Sequence, residues 1–361
     1  MSTAKGTILV TGANGGLGSA IVKHIVSKPE LAAYHGLYTV RDATAAPALS
    51  STLSCGKSHP HDVLSMELTK LDSVRQTAKT INARVSAGEI PPIRALILNA
   101  GFQDFGKQSW TDDGLDTTFA ANYLGHWLLT LLLLESMDRE SGRIVLVGSQ
   151  SHDCLEVDEL TRRLRNASPY DKRNESGKAF VDEKYKTIVH DEASFEAIAK
   201  GSWSPAQEDP SFRSGFRRYG AAKLFLIMMV HDLQRRMNQD PALKDVCILG
   251  VDPGTMITGL QRYASWFIRI VLFRIVFPII AWLKPDGPVR TTEKSAAHVL
   301  QAAFDSGPIL GQYPKDLYFD GTEPLQTSAE SQDARKRDMV WRESVRYAQL
   351  KQNETILATW S

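Results

Sequence analysis

Apolar and polar residues alternate along the first part of the chain with two different periods. Short runs rich in β-branched residues are predicted as strands, and they cover Thr7–Val10, Leu37–Val40, Asp62–Glu67, Arg94–Leu98 and Arg143–Val147. Longer amphipathic stretches between them are predicted as helices over Gly16–Val26, Ser73–Val85 and Gly114–Met137. A repeated strand–helix order is typical of βαβ units. We therefore expect an α/β fold, a doubly wound parallel sheet with helices on both faces.

The pattern changes between residues 150 and 218, where the chain is polar and carries charged clusters such as Arg162-Arg-Leu-Arg165. A segment this long without the strand rhythm is predicted to be an insertion with some helix of its own, not a separate core. The rhythm then resumes with helices over Tyr219–Arg236 and Glu293–Phe304, and strands over Val246–Val251 and Asp316–Phe319. A charged surface helix is expected over Asp333–Leu350, inside a C-terminal extension of residues 321–361. Residues 1–361 are thus expected to form one domain.

Composition and charge narrow the class of protein. Of the 361 residues, 43% are hydrophobic, which is enough for a sizeable core. The 42 basic residues nearly balance the 41 acidic ones, and a net charge of +1 argues against a nucleic-acid surface. Cys55, Cys154 and Cys247 are far apart and form neither a disulfide framework nor a C-x-x-C pair, so no metal site is expected. Because the N-terminus leads directly into the first predicted strand and leaves no room for a signal peptide, we expect a cytoplasmic protein.

One apolar stretch, Trp266–Leu283, has to be weighed against a membrane span. A spanning helix needs about 20 residues with few or no charges. Arg269 and Arg274 interrupt this stretch, and Pro278 breaks it. Burial inside the protein therefore fits better than a span, and an amphipathic contact with a membrane face is a less favoured alternative.

A glycine-rich turn follows the first predicted strand. It reads Thr11-Gly12-Ala13-Asn14-Gly15-Gly16-Leu17-Gly18, and an amphipathic helix begins behind it. Glycines let a backbone turn sharply and approach a pyrophosphate, whose charge is stabilised by the N-terminus of the helix. Since glycines also mark ordinary turns, the strand before the turn and the helix after it are what favour nucleotide binding. The expected sheet is thus of the Rossmann type.

Further blocks of sequence stand in the order shown by one family. The glycine turn is spaced T-G-x-x-x-G-x-G, Asn99-Ala100-Gly101 follows the fourth predicted strand, Asn122 lies on the next helix, Ser149 ends the fifth strand, Tyr219 and Lys223 open the following helix, and Pro253-Gly254 with Thr258 follows the sixth strand. Over roughly residues 5–320 the chain resembles the short-chain dehydrogenases/reductases. Within that family it is especially similar to the retinol-dehydrogenase-like and long-insert fungal reductases.

The resemblance implies a catalytic set of Asn122, Ser149, Tyr219 and Lys223. Tyr219 and Lys223 are four positions apart on a predicted helix, so their side chains share one face. A tyrosine has an ordinary pKa of about 10, and a neighbouring ammonium is expected to lower the pKa of Tyr219. By resemblance Tyr219 is the acid–base group and Lys223 also holds the nicotinamide ribose. Ser149 would polarise the substrate oxygen, and Asn122 would support the proton relay.

Two features of the chain leave alternatives to these assignments. Ser149 and Tyr219 are 70 positions apart, where compact members of the family have roughly a dozen, so the insertion is expected to lie over or beside the substrate cleft. Ser151 is a rival for Ser149, but the end of the fifth strand matches the family better with Ser149. A second Tyr-x-x-x-Lys pair, Tyr347 and Lys351, has no strand-ending serine upstream and is interpreted as a surface coincidence.

The resemblance also implies a set of cofactor-binding residues. They are Gly12, Asn14, Gly16, Leu17, Gly18, Arg41, Glu67, Leu68, Asn99, Ala100, Gly101, Tyr219, Lys223, Pro253, Gly254 and Thr258. Arg41 ends the second strand, where an arginine favours the 2′-phosphate of NADP and a carboxylate would favour NAD. The neighbouring Asp42 and the uncharged Asn14 argue the other way, and NADP(H) is favoured on balance. Glu67 stands where the family carries an aspartate against the adenine amino group, and Thr258 is expected at the nicotinamide carboxamide.

Residues 259–290 take the place of the family's variable substrate lid. Aromatic residues such as Trp266 and Phe267 favour a lipophilic or polycyclic small-molecule substrate. We therefore expect an NADP-dependent oxidoreductase, a monomer or homodimer, that transfers a hydride between nicotinamide and a carbonyl or alcohol. A catalytically silent NADP-binding sensor or scaffold is one alternative, but it would have no need of Tyr219 and Lys223. An epimerase of the extended branch is another, but it would need a larger C-terminal domain than the tail after Phe319 provides.

Overall fold

The computed structural model describes residues 4–56, 59–153, 179–256, 258, 263, 287 and 289–361. Residues 154–178 of the predicted insertion lie outside this range. So does most of the predicted lid, including Trp266 and Phe267. Of the cysteines within the range, Cys55 and Cys247 are free thiols.

An eight-stranded sheet forms the centre of the described structure. Its strands are β1 Thr7–Thr11, β2 His35–Val40, β3 His61–Ser65, β4 Ile93–Leu98, β5 Arg143–Val147, β6 Cys247–Asp252, β7 Leu317–Asp320 and β8 Glu323–Pro324. The spatial order is β3-β2-β1-β4-β5-β6-β7-β8, and the pairs from β3 to β7 are parallel. β8 runs antiparallel to β7. The order reverses between β1 and β4, and open α/β sheets bind ligands at such a reversal, beyond the carboxyl ends of the strands.

Helices cover both faces of the sheet. They are α1 Gly16–Ser27, α2 Pro29–Ala32, α3 Pro47–Leu53, α4 Leu71–Ser86, α5 Thr117–Phe119, α6 Gly125–Leu133, α7 Glu183–Lys186, α8 Glu192–Ala199, α9 Phe212–Gln239, α10 Thr292–Phe304, α11 Ala329–Gln332 and α12 Ala334–Ala348. On one face α1, α3 and α10 bury apolar side chains such as Ile21 and Val299, and on the other α4, α6 and α9 bury residues such as Trp127 and Phe225. The predicted doubly wound, Rossmann-type fold is confirmed.

Helix boundaries differ from the predicted ones for local reasons. The third predicted helix begins later than expected, because Gly114 has a φ of +74° and the carboxylate of Asp116 caps the helix by accepting a hydrogen bond from the amide of Thr118 at 2.8 Å. α9 begins earlier than expected, at Phe212, where the hydroxyl of Ser211 caps it. The short helices α2 and α3 escape prediction, because segments of about two turns or fewer show no clear period.

The described part of the insertion packs onto the central core. Phe195 of α8 stacks on Phe225 of α9, with ring centroids 5.1 Å apart. Phe119 of α5 lies edge-on to both rings. This aromatic cluster holds α8 beside the N-terminal half of α9 and the start of the helix that carries Asn122.

The C-terminal extension is more buried than its charge pattern predicts. α12 lays one face on α9, and Trp341 of that face is only 1% exposed. The Trp341 ring meets Trp127 edge-on at 5.3 Å, and the guanidinium of Arg236 lies 4.3 Å from its centre. The ring of Tyr347 packs against α8. The prediction of a surface helix is therefore wrong for this face, because its apolar residues belong to the core.

One helical stretch of the described residues is long and apolar enough to cross a membrane by length and composition. It covers Thr117–Ser136, and 89% of its most apolar window is buried inside the protein. Burial of that extent is typical of the central helix of a folded core.

We predict that Trp341→Ala lowers the free energy of unfolding by about 3–5 kcal/mol, because it removes a buried indole and leaves a cavity beside Trp127. Urea unfolding followed by circular dichroism measures the change. Trp110→Ala is the matched control, since Trp110 is 52% exposed, and we expect it to cost about 1 kcal/mol or less. Equal losses in the two variants would contradict the packing role of α12.

Candidate active site

The glycine turn lies at the carboxyl end of β1, beside the reversal of strand order. Gly12 has a φ of +65°, a left-handed conformation that favours glycine. Gly18 approaches so closely that a Cβ there would stand 2.3 Å from the carbonyl oxygen of Gly12. Gly15 is the N-cap of α1 and supplies no side chain to the first amides of the helix. Uncapped amides at the positive end of a helix attract an anion, so this cradle fits the pyrophosphate of a dinucleotide cofactor.

The hydroxyl of Thr11 joins the glycine turn to the loop after β4. It accepts hydrogen bonds from the amides of Asn99 at 2.9 Å and of Ala100 at 3.0 Å. The side chain of Asn99 donates back to the carbonyl of Thr11 at 2.8 Å. Thr258 lies against Gly16, where a Cβ would stand 3.1 Å from the Cβ of Thr258. The structure thus brings together three predicted cofactor-binding segments that are far apart in sequence.

The residues predicted to select the cofactor lie at the carboxyl end of β2. Arg41 is exposed. The carboxylate of Asp42 accepts hydrogen bonds from the hydroxyl and the amide of Thr44, at 2.6 and 2.8 Å, and these bonds lower the pKa of Asp42. The side chain of Asn14 accepts from the amide of Leu49 at 3.1 Å and so connects the glycine turn to α3. The negative charge of Asp42 is therefore held by its own turn, next to the exposed cation of Arg41.

Glu67 is engaged locally at the end of β3. Its Oε1 accepts hydrogen bonds from the amide and the hydroxyl of Thr69, at 3.2 and 3.0 Å. The adjacent Leu68 is buried, and a Cβ on Gly125 of α6 would stand 2.3 Å from the carbonyl oxygen of Leu68. The predicted adenine contact of Glu67 stays a prediction, and it would have to compete with Thr69.

Three of the four predicted catalytic residues converge at the carboxyl end of β5. Ser149 follows β5, while Tyr219 and Lys223 lie on α9, and all three are buried. A side-chain hydrogen bond joins Ser149 and Tyr219. The ammonium of Lys223 donates to the carbonyl of Val147 at 2.8 Å and lies 5.4 Å from the centre of the Tyr219 ring. The long insertion therefore leaves these side chains in contact.

The protonation of Tyr219 differs from the sequence-based expectation. Burial raises the pKa of the Tyr219 phenol well above its ordinary value, the carboxylate of Asp252 raises it further, and the hydrogen bond with Ser149 acts in the opposite direction. The predicted lowering of this pKa is wrong for this structure, because burial and the carboxylate of Asp252 outweigh the hydrogen bond with Ser149. Tyr219 is therefore a neutral phenol at neutral pH.

Asn122 lies on a π-helical turn, Ala120–Leu124, between α5 and α6. Its Oδ1 accepts a hydrogen bond from the amide of Phe102 at 2.9 Å. Its Nδ2 donates to the carbonyls of Phe102 and Thr118, each at 2.8 Å. The side chain is thus occupied in fixing the loop after β4, so a part for Asn122 in the proton relay stays a prediction and would fall to its main chain.

Phe102 escapes prediction, although it directly follows the predicted cofactor segment Asn99–Gly101. Its ring meets the ring of Tyr263 edge-on, with centroids 5.9 Å apart. The ammonium of Lys107 lies 5.8 Å from the centre of the Tyr263 ring. The pair places two aromatic rings, set edge to face, next to the loop after β4.

His126 escapes prediction because a single histidine on an apolar helix looks like any core residue. Its Nε2 lies 3.0 Å from the hydroxyl of Thr11, and its Nδ1 lies 3.4 Å from the carbonyl oxygen of Asn122. Because the Thr11 hydroxyl already accepts two amide hydrogen bonds, it donates its own proton to Nε2, and His126 is the neutral Nδ1–H tautomer. Burial, assisted by the charge of Lys223, lowers the pKa of His126 to about 3.

Asp252, at the end of β6, also escapes prediction. It is fully buried, and its carboxylate accepts hydrogen bonds from the amides of Gln150 at 2.5 Å and of Gly254 at 2.7 Å. A guanidinium nitrogen of Arg290 donates to the Asp252 carbonyl at 3.2 Å. The carboxylate thus links the segment after β5 to the turn that contains Pro253. The sequence signal that could have identified Asp252 is its position as an acidic residue at the end of an otherwise apolar strand.

A buried ion cluster fixes the start of α9 next to Tyr219. The guanidinium of Arg218 donates twice to the carboxylate of Asp104, at 2.8 and 3.1 Å, and lies 3.5 Å from the carboxylate of Asp116. It also donates to the carbonyl of Ser204 in the insertion. Since Asp104 belongs to the loop after β4 and Asp116 caps α5, the cluster aligns both segments with α9.

Within the part of the chain that the structure describes, no group of three or more His, Cys, Asp or Glu side chains is arranged to hold a metal ion. The expectation that the protein lacks a metal stays a prediction.

Comparison with known proteins identifies the family. A model of the short chain dehydrogenase family matches residues 6–154. The short-chain dehydrogenase iccH of Talaromyces variabilis is 44% identical over 365 aligned residues, which cover 99% of each chain. A chloroplastic protochlorophyllide reductase of Pisum sativum is 28% identical, over 93% of this chain and 76% of its own. The chain therefore belongs to the short-chain dehydrogenase/reductase family. It is an oxidoreductase with fungal relatives, as the sequence motifs predicted.

Solved structures share the fold. The angucycline C-6 ketoreductase LanV with bound NADP matches with a TM-score of 0.54 at 17% identity, over 89% of this chain and 96% of that chain. The promiscuous reductase LugOII, which catalyses keto-reduction at C1 during lugdunomycin biosynthesis, matches with a TM-score of 0.55 at 15% identity, over 90% and 99%. Identities this low show a common fold and no more.

We predict that His126 makes the protein less stable as the pH falls below about 6.5. The unfolded chain binds a proton at the ordinary histidine pKa of about 6.5, whereas the folded protein keeps His126 neutral down to a pKa of about 3. Unfolding thus takes up a proton in this window, and this group should lower the free energy of unfolding by about 1.4 kcal/mol between about pH 7.5 and about pH 5.5.

Denaturant titrations at the two pH values measure the change. His126→Gln keeps a donor and an acceptor but does not titrate, so the variant should lose this part of the pH dependence. An identical pH dependence in both proteins would contradict the assignment to His126.

Proposed function

We propose that the protein is an NADP-dependent oxidoreductase that transfers a hydride between nicotinamide and a carbonyl or alcohol of a lipophilic or polycyclic small molecule. The observation that carries the proposal is the contact of Ser149, Tyr219 and Lys223. A hydroxyl, a neutral phenol and an ammonium lie buried together at the carboxyl edge of the sheet, close to the glycine turn. A silent sensor or scaffold would need none of these contacts.

The three side chains act on the substrate oxygen and its proton. The nicotinamide, when bound, supplies the hydride. In the reductive direction Tyr219, a neutral phenol, donates its phenolic proton to the carbonyl oxygen. Ser149 donates a hydrogen bond to the same oxygen and stabilises the negative charge that develops there. Lys223, whose ammonium lies 5.4 Å from the Tyr219 ring, stabilises the phenolate that remains.

The preference for NADP rests on Arg41. Its exposed guanidinium at the end of β2 suits the 2′-phosphate, which a planar fork of donors binds in two places. The carboxylate of Asp42, held by Thr44, is less available for the ribose hydroxyls of NAD. The NADP bound in LanV supports the same choice.

The substrate class is proposed from the aromatic surface of Phe102 and Tyr263. Aromatic rings beside the predicted cofactor segment favour an apolar substrate that packs against them. LanV, which shares the fold, has been solved with NADP and rabelomycin bound. The predicted substrate contacts of Trp266 and Phe267 fall on residues outside the described ranges. The cytoplasmic location and the monomeric or homodimeric state stay predictions.

We predict that Tyr219→Phe lowers kcat for carbonyl reduction by about 100- to 10,000-fold, because the proton donor is lost. NADPH binding should stay nearly unchanged, since the ring and Lys223 remain. The consumption of NADPH at 340 nm, with a panel of mono- and polycyclic ketones, measures the rate. Tyr347→Phe removes the hydroxyl of the other Tyr-x-x-x-Lys pair and should leave the rate unchanged. Near-normal turnover by Tyr219→Phe would refute the proposed chemistry.

We predict that Arg41→Asp weakens NADPH binding much more than NADH binding, because the phosphate loses its partner and meets a repelling charge. Fluorescence titration of both cofactors gives the two dissociation constants. Arg342→Asp, the same charge change on the exposed side of α12, should alter neither constant by more than about twofold. Equal binding of NADH and NADPH by the unmodified protein would show that Arg41 does not select the cofactor.

A further inference from the structure

The hydrogen bonds around Ser149 have a fixed direction. Its hydroxyl oxygen lies 3.0 Å from the hydroxyl oxygen of Ser151, which donates to it, and it also accepts from the Ser151 amide at 3.3 Å. A serine hydroxyl has one proton to donate and two lone pairs that accept. Both lone pairs of Ser149 are thus used by Ser151, and what remains is its proton.

We propose that Ser151 is a positioning residue that commits the Ser149 hydroxyl to donate its proton toward the substrate oxygen. The inference rests on the proposed reductase function, in which Ser149 and Tyr219 both donate to that oxygen. It also changes the relation of the two serines, since Ser151 supports Ser149 where the sequence left the two as rivals.

The proton of Ser149 has a partner on the side away from Ser151. The phenol of Tyr219 lies on this side, and its hydrogen bond with Ser149 opposes the rise that burial causes in the pKa of the phenol. The chain of donors therefore runs from Ser151 through Ser149 to the place where the substrate oxygen binds. If one lone pair of Ser149 were open, its hydroxyl could accept a hydrogen bond from the phenol of Tyr219. The phenolic proton of Tyr219 would then point at Ser149 and not at the substrate oxygen.

Ser151 itself is held rigidly. It is 2% exposed and lies in a short 3₁₀ turn, Gln150–His152. The amide of Gln150 donates to the buried carboxylate of Asp252 at 2.5 Å. His152 donates from Nδ1 to the carbonyl of Ser149 at 2.7 Å. These bonds on either side of Ser151 fix the backbone of the turn that carries its hydroxyl.

The catalytic helix packs directly against Ser151. A Cβ on Gly220, the residue after Tyr219, would stand 2.5 Å from the carbonyl oxygen of Ser151. The glycine lets the turn with Ser151 approach α9, so the distance between the two serines and Tyr219 is set by backbone contact.

The test compares three single variants, Ser151→Ala, Ser151→Thr and Ser149→Ala. It also includes the double variant that combines Ser149→Ala with Ser151→Ala. We expect Ser151→Ala to lower kcat about tenfold, the effect of losing one oriented hydrogen bond, with the dissociation constant of NADPH unchanged. Ser151→Thr keeps the hydroxyl and should recover most of the rate. Ser136→Ala is the matched control, because it removes a buried hydroxyl that donates to Asn82 at 2.6 Å beside the amino end of β4, and it should not alter kcat.

The double variant decides between positioning and general destabilisation. If Ser151 acts through Ser149, adding Ser151→Ala to Ser149→Ala should lower kcat no further. A further tenfold loss in the double variant, or a normal rate in Ser151→Ala, would overturn the proposal. A normal rate in Ser149→Ala would instead refute the proposed function, so the two failures are distinguishable.

Discussion

The active site depends above all on the ion cluster of Arg218 with Asp104 and Asp116. Losing one partner of such a buried cluster typically costs about 3–5 kcal/mol, because an uncompensated charge is left inside the protein. These charges therefore hold their segments firmly: the loop after β4, the N-terminus of α5 and the first half of α9. A Cβ on Gly215 of α9 would stand 2.1 Å from a carboxylate oxygen of Asp104, which shows how closely helix and loop approach. Tyr219 directly follows Arg218, so the phenol takes its place from this cluster.

Within that frame the polar groups of the site are buried and ordered. The hydroxyl of Thr11 accepts hydrogen bonds from two amides and donates one to the neutral ring of His126. Ser151 donates hydrogen bonds to both lone pairs of the Ser149 hydroxyl. Asp252 binds amides from the segments after β5 and β6. Because water is largely excluded, each of these bonds has a defined direction. The same burial raises the pKa of the Tyr219 phenol above its ordinary value.

Local patterns were enough to predict strands β1 to β7 and the longer helices, whereas the catalytic set of Ser149, Tyr219 and Lys223 was implied by the resemblance to a family. Strand and helix periods are written in neighbouring residues, and parallel strands end at one edge. Contacts across long separations were out of reach: Arg218 and Asp104 are 114 positions apart, and nothing around either residue marks the other as its partner. The pKa of Tyr219 was wrongly predicted for a related reason, since the sequence shows the neighbouring Lys223 but not the extent of burial. For α12, the sequence shows many charged residues, and these hid the apolar face that packs against α9.

The distance of 70 positions between Ser149 and Tyr219 affects how the protein folds. The entropy of closing a loop grows only with the logarithm of its length, so lengthening it from about 12 to about 70 residues costs about 1.6 kcal/mol. Burying one large side chain such as Phe195 offsets about that much. An insertion at this point therefore changes the stability of the protein very little. What it changes is the rate of folding. Contacts between distant positions slow folding, so during refolding the pairing of β2 with β1 and with β3, which joins nearby segments, should precede the assembly of the catalytic residues.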